Sequence, residues 1–253
     1  MRAGSSAQKK TEATEQKRGV VGQRCFDTVI FDMDGTLTDS VPLITEAVAE
    51  VISHYRLPAQ SPRQLKRFVG PPLRIGFKQY LDLPEERLDE AVEVYRRYYR
   101  PRMTEVPLFS GIENLLCHLH RDGVKTAVAS SKLEELVRDI AEATGMSPYL
   151  DWVAGTQEKA GTSAENPSDV ANPQIRRGKE GVIRYALDQL AALAPLGRVV
   201  MVGDRADDYR AARNIGIDVI GVSWGAGSRE EFPGAPWVTS VSELQNMLLS
   251  TSK

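Results

Sequence analysis

The sequence predicts an α/β fold in which a parallel sheet carries helices on both faces and is interrupted by an inserted all-helical domain. Three observations predict it. Short apolar runs rich in β-branched residues alternate with amphipathic helical stretches, the pattern of parallel strands joined by crossover helices. The runs lead into polar or glycine-bearing segments, as strands feeding loops do. Between the first and second runs, a long stretch carries helical periodicity alone.

The first strand is predicted over Phe26 to Phe31 (FDTVIF), just before Asp-Met-Asp-Gly. Val124 to Ala129 (VKTAVA), Arg198 to Val202 (RVVMV) and Ile217 to Val222 (IDVIGV) supply three more. Helices are predicted over Ile112 to Arg121, Lys132 to Thr144, Lys179 to Leu193 and Arg205 to Asn214. In the third of these, Val182, Ile183, Ala186, Leu187 and Leu190 form one apolar stripe. Gly123, Gly145 and Gly216 each follow a predicted helix end, where a residue able to turn left-handed is wanted.

Helical patterning over Ile44 to Tyr55, Leu65 to Phe68, Leu73 to Leu81 and Glu85 to Tyr99 marks residues 41–107 as the inserted domain. Residues 25–40 and 108–253 then form the core domain. Residues 1–24 are polar and small with few apolar anchors, the composition of a mobile tail. Gly155 to Arg177, rich in Gly, Ser, Asn, Glu and Pro, is predicted as a long surface loop.

A length of 253 residues suits a core domain with a smaller insertion. A net charge of -2 from 32 basic and 34 acidic side chains argues against a nucleic-acid coat or a polybasic membrane anchor. Cys25 and Cys117 stand far apart with no zinc-type spacing, so neither a disulfide framework nor a zinc site is indicated, and a reducing cytoplasmic setting is expected. No apolar run approaches the about 18 residues of a membrane span.

Ligands of open parallel sheets bind beyond the carboxyl ends of the strands, so the residues just after each apolar run carry the information. Asp32, Asp34, Gly35 and Thr36 follow the first run, Ser130 the second, and Asp204 and Asp208 the third, while Lys179 opens the helix before that third strand. Asp32 and Asp34 are two residues apart, a spacing that keeps both carboxylates on one face of an extended chain. Converging carboxylates repel unless a cation joins them, and Asp32, Asp204 and Asp208 offer the hard oxygen ligands that suit Mg²⁺.

The segments FDMDGTLTDS, VASSK, Lys179 and VGDRADD, in this order, resemble the four signature motifs of the haloacid dehalogenase superfamily. The resemblance runs from about Phe26 to the C-terminus, and the inserted domain is similar to the family's helical-cap class, on a Rossmann-like core. GPPL at Gly70 to Leu73 and SGIENLLCHL at Ser110 to Leu119 look like the phosphoglycolate phosphatase group. The resemblance implies that Asp32 is the nucleophile that forms an aspartyl-phosphate and that Asp34 protonates the leaving oxygen and then activates water. It implies that Ser130 binds a phosphoryl oxygen and Lys179 offsets the charge of phosphate and Asp32. It also implies that Asp34 meets the metal through its backbone carbonyl, Asp204 directly, and Asp208 through water.

Lys132 and Lys159 compete with Lys179, but Lys179 alone immediately precedes a strongly amphipathic helix. Arg74 and Lys78 in the inserted domain could recognise a second anionic group, or form a solvated cationic face. The expected function is Mg²⁺-dependent hydrolysis of a small phosphorylated substrate. The alternatives are a phosphomutase of the same superfamily and a non-catalytic phosphate-binding module.

Overall fold

The computed structural model describes residues 25–157, 176 and 178–249. Six parallel strands form one sheet in the order β3-β2-β1-β4-β5-β6. Their ranges are β1 Thr28–Phe31, β2 Lys125–Leu133, β3 Trp152–Thr156, β4 Val199–Gly203, β5 Asp218–Val222 and β6 Trp237–Val238. The helices α5 (Ile112–Arg121), α6 (Glu134–Ala143) and α9 (Val241–Leu249) contribute to one face. The opposite face is covered by α7 (Gly178–Leu193) and α8 (Ala206–Ile215).

Strand alternation sorts the core between these faces. Val29 and Phe31 pack with Val128, Val200, Leu115 and Leu116 on the first side. Ile30, between them, packs with Ala127, Met201, Val182 and Ala186 on the second. Both sheet faces are buried, which explains why these strands read as continuous apolar runs rather than as alternating ones.

Between β1 and β2 the chain builds an all-helical insertion. It comprises α1 (Val41–His54), α2 (Pro62–Leu65), α3 (Leu73–Leu81) and α4 (Leu88–Tyr99), with 3₁₀ turns at Lys66–Phe68, Glu85–Arg87 and Met103–Glu105. Ser61 starts α2 by accepting the Gln64 N–H while the Gln64 side chain accepts the Ser61 N–H, a reciprocal cap before Pro62. Phe77, Tyr95 and Tyr99 are buried and join the same apolar cluster as β1 and α5, so the insertion packs continuously onto the core.

The structure corrects the sequence reading at one edge of the sheet. β2 does not stop at Ala129 but runs on to Leu133, with a register shift after Ala129, and α6 starts at Glu134 rather than Lys132. Ala127–Ala129 and, in the extension, Leu133 pair with β3, which the sequence reading left without an element and whose Gly155 and Thr156 it assigned to a surface loop. Arg176, at the far end of that expected loop, is buried and donates to the Gly155 carbonyl at 2.9 Å. The rest of that loop and the N-terminal tail lie outside the described residues. Two short C-terminal elements, β6 and α9, were likewise absent from the prediction. Neither cysteine forms a disulfide, and no helix among the described residues is long and apolar enough to cross a membrane.

Gly155 makes a specific test of this edge. A Cβ there would lie 2.5 Å from Glu134 Cα and 2.6 Å from the Lys132 carbonyl oxygen, so backbone would have to move. Gly155→Ala is expected to destabilise the protein by about 2–3 kcal/mol in urea unfolding. An unchanged midpoint would mean that β3 does not press against the β2–α6 junction.

Candidate active site

The sheet register builds the site. Phe31 pairs with Val128 on one side and Val202 on the other, so the ends of three central strands lie in a row. Asp32 follows Phe31, and its N–H donates to the Val202 carbonyl at 2.9 Å, which carries the ladder one residue past β1. The chain then folds on itself: the N–H groups of Leu37 and Thr38 both donate to the Met33 carbonyl at 3.0 Å. Met33 and Leu37 anchor this loop in the core, which leaves Asp32 and Asp34 on the other side. Gly35, at φ +82, is required here because a side chain would fall 2.6 Å from Asp204 Oδ2.

Each acidic group has defined neighbours. Asp34 Oδ1 accepts the Ser40 hydroxyl at 2.7 Å, and Oδ2 faces Lys132 Nζ at 3.2 Å. Asp204, beyond β4, accepts the Ala226 N–H at 2.6 Å through Oδ2 and the Thr36 hydroxyl at 3.4 Å through Oδ1. Asp208, in the first turn of α8, accepts the Arg205 N–H at 3.1 Å. Ser130 is buried at the end of the regular part of β2, and its hydroxyl accepts the Lys132 N–H at 3.2 Å.

Lys179 enters from the first turn of α7 and places its ammonium 2.5 Å from Asp32 Oδ1 and 2.8 Å from Asp208 Oδ1. The two described lysines occupy different places. Lys179 lies between Asp32 and Asp208, Lys132 lies beside Asp34, and Lys159 falls outside the described residues. Trp224 braces the loop that carries Asp34. Its indole N–H donates to the Thr36 carbonyl at 3.0 Å and its ring packs edge-on to Phe109.

Burial of these charges shifts their proton affinities. Burial pushes the Asp32 carboxyl well above its ordinary value; Lys179 opposes this, while Asp208, Asp204 and Asp34 add to it. Burial and the repulsion of Asp208 push Asp204 up to about 7, against the Ala226 hydrogen bond. Burial alone would lower Lys179, but Asp208 and Asp32 outweigh it and hold the ammonium charged. Lys132 is raised in the same way, with Asp34 as the main opponent of burial.

Asp32, Asp204 and Asp208 bring one carboxylate oxygen each to within 4.8 Å of the others, all buried. Counting Asp34, Lys132 and Lys179, four acidic side chains face two ammoniums, a surplus of two acidic groups. A hard oxygen donor set with that surplus fits a divalent cation.

Above the carboxylates lies a cavity of about 220 Å³ between core and insertion. Asp32, Asp34, Ser130, Ser131 and Lys132 form its floor, and Ile44, Phe68, Leu73, Val92, Tyr95 and Tyr99 form much of its walls and roof. Arg74 reaches the cavity lining, yet its guanidinium is paired with Glu85 and Asp89, and Lys78 pairs with Glu85 at 2.8 Å. The expected pair of anion-recognising cations is thus engaged by carboxylates of the insertion itself. Lys132 and Ser40 belong to the quoted motifs, but periodicity gave no sign that both would converge on Asp34.

A family model described as haloacid dehalogenase-like hydrolase matches residues 26–216. The chain belongs to that family. The tyrosine-protein kinase PtkA of Mycobacterium tuberculosis is 36% identical over 200 residues, which are 79% of this chain and 62% of that protein. The chain therefore spans about three fifths of the length of this relative. A 5'-nucleotidase of Pseudomonas aeruginosa is 33% identical over 207 residues, 81% of this chain and 86% of that protein. Among solved structures, a predicted phosphatase from Clostridium acetobutylicum superposes with a TM-score of 0.74 at 33% identity, covering 87% of this chain and 97% of that one. These likenesses agree with the family model in placing the chain among haloacid dehalogenase-like proteins.

The buried ion pairs yield a stability prediction. Lys179→Met leaves Asp32 and Asp208 without their shared cation and should cost about 3–5 kcal/mol in urea unfolding at neutral pH with chelator present. Removing the cation raises the folded-state pKa of Asp32 further above its unfolded value, so the folded state takes up protons more readily. The deficit should shrink as pH falls toward about 5. A deficit that does not change with pH would show that lost packing, not charge, is responsible.

Proposed function

We propose that the protein is a phosphatase that hydrolyses a small phosphate monoester through an aspartyl-phosphate on Asp32, with Mg²⁺ as cofactor, in the manner of phosphoglycolate phosphatases. The observation that carries the reading is the placement of Asp32. Its carboxylate follows the central strand, opens into the cavity, pairs with Lys179 and belongs to the acidic cluster.

In the first half-reaction an Asp32 oxygen attacks phosphorus. The bond from phosphorus to the ester oxygen breaks, and the leaving oxygen keeps the electron pair and takes a proton from the Asp34 carboxyl, which releases an alcohol. In the second half-reaction water attacks the phosphorus and gives its proton to Asp34. The bond from phosphorus to Asp32 breaks, regenerating the carboxylate and releasing inorganic phosphate. Ser130 donates to a phosphoryl oxygen and Lys179 holds Asp32 in line while balancing the charge that accumulates on the phosphoryl group. Asp32, Asp204 and the Asp34 backbone carbonyl would hold Mg²⁺, with Asp208 acting through water, and the ion would supply further neutralisation of that charge. The Arg205 N–H and Lys179 already engage the two oxygens of Asp208, which favours an indirect, water-bridged role for it.

The size and chemistry of the cavity support a small ester. About 220 Å³ with mostly apolar walls accommodates a compact leaving group, and the Gly70–Leu73 segment that resembles the phosphoglycolate group forms part of the lining. Enclosure under the insertion limits the water that can reach the phosphoryl-enzyme.

Asp32→Asn should lose phosphate release by several orders of magnitude across a panel of phosphate esters while keeping the wild-type melting temperature. Near-normal turnover would sink the mechanism. Mg²⁺ has to displace the proton that Asp204 holds below about pH 7, so metal-induced stabilisation should be small at about pH 5 and grow toward about pH 8. Equal stabilisation at both pH values would remove Asp204 from the metal site.

A further inference from the structure

We propose that Lys132 is a second catalytic cation, one that acts on the leaving-group oxygen, on the side of the ester that Lys179 does not serve. The inference rests on the phosphatase reading above.

Geometry separates the two lysines. Lys179 is held by Asp32 and Asp208. Lys132 Nζ lies 3.2 Å from Asp34 Oδ2, donates to the Tyr99 hydroxyl at 2.9 Å, and sits 4.4 Å from the centre of the Tyr99 ring. The Ser40 hydroxyl occupies Asp34 Oδ1, so Oδ2, the oxygen beside Lys132, is the one turned toward the ester. A leaving oxygen that takes its proton from Oδ2 must come within about 2.6–3.2 Å of it. It then lies beside the ammonium as well, because both groups line the floor of one cavity.

The chemistry follows from that position. As the phosphorus–oxygen bond breaks, the electron pair moves onto the ester oxygen, which carries negative charge until the proton arrives. An ammonium fixed nearby in a mostly apolar cavity stabilises that charge far more than it would in water. Tyr99, reaching down from α4, is the positioning residue: its hydroxyl and ring face hold the ammonium over Asp34. The need for such a cation depends on the leaving group. An alkoxide has nowhere to disperse its charge, whereas a nitrophenolate spreads it over the ring.

The test compares kcat/KM, which reports the steps up to the phosphoryl-enzyme, for glycerol phosphate and p-nitrophenyl phosphate. Lys132→Met should lower the value for the alkyl ester by about 10²–10³-fold and for the aryl ester by less than about tenfold. Tyr99→Phe keeps the ring and removes the hydroxyl, so it should shift the same ratio in the same direction by about three- to tenfold. Should Lys132→Met fail to fold, the Tyr99→Phe ratio decides alone. Lys179→Met, which acts on the phosphoryl side, should depress both esters alike. Equal losses on the two esters in Lys132→Met, or an unshifted ratio in Tyr99→Phe, would overturn the role of Lys132. A wild-type protein that releases phosphate from neither ester would instead overturn the phosphatase reading on which it stands.

Discussion

Lys179 reaches from the first turn of α7 to put its ammonium between Asp32 and Asp208, and the rest of the site depends on that contact. Carboxylates packed beyond the reach of water repel one another and cost several kcal/mol each to desolvate. The direction of the Asp32 and Asp204 shifts expresses that cost. A cation delivered from a helix whose stripe of Val182, Ile183, Ala186 and Leu190 is clamped to the sheet cannot drift away. The three participants come from β1, α7 and α8, so the site assembles only when the sheet does.

Much of this was legible in the sequence because one physical rule links pattern to place. Buried parallel strands are short, apolar and followed by polar loops, and ligands gather at their carboxyl ends, so Asp32, Asp34, Ser130 and Asp204 could be assigned to one region before any coordinates. The acids two apart in Asp-Met-Asp also implied a common face, with Met33 turned into the core between them. What stayed hidden was decided by tertiary pairing. Trp152–Thr156 is short and contains a glycine, and it becomes a strand because it lies along β2, pairing with Ala127–Ala129 and, past a register shift, with Leu133.

That shift matters beyond the sheet. Read as the first residue of a helix, Lys132 would belong to a helix surface and compete with Lys179 for a single role. As part of the β2 extension it points to the cavity floor, meets Asp34 and takes its partner from α4. Periodicity over a handful of residues cannot tell a strand end from a helix start, so the identity of this neighbour required the fold. The same holds for Arg74 and Lys78, whose charges suggested anion recognition until Glu85 and Asp89 were found beside them.

The insertion therefore contributes less by charge than by shape and exclusion. It lays Phe68, Leu73, Val92 and Tyr95 over the carboxylates, and the Arg205 guanidinium ties it down by donating to the Lys66 and Val69 carbonyls. Gly70 passes so close to this arginine that a side chain there would meet Arg205 Cγ at 3.1 Å. Arg205 sits between Asp204 and the start of α8, so the residue that follows one acid of the buried carboxylate cluster is also a fastening point for the roof. An apolar roof lowers the dielectric above the floor, and every charge on the floor then acts at greater strength on a bound ester. On the proposed reading, the largely apolar outline of the cavity shapes selectivity for the leaving group, and the two lysines and the acids beneath it supply reactivity.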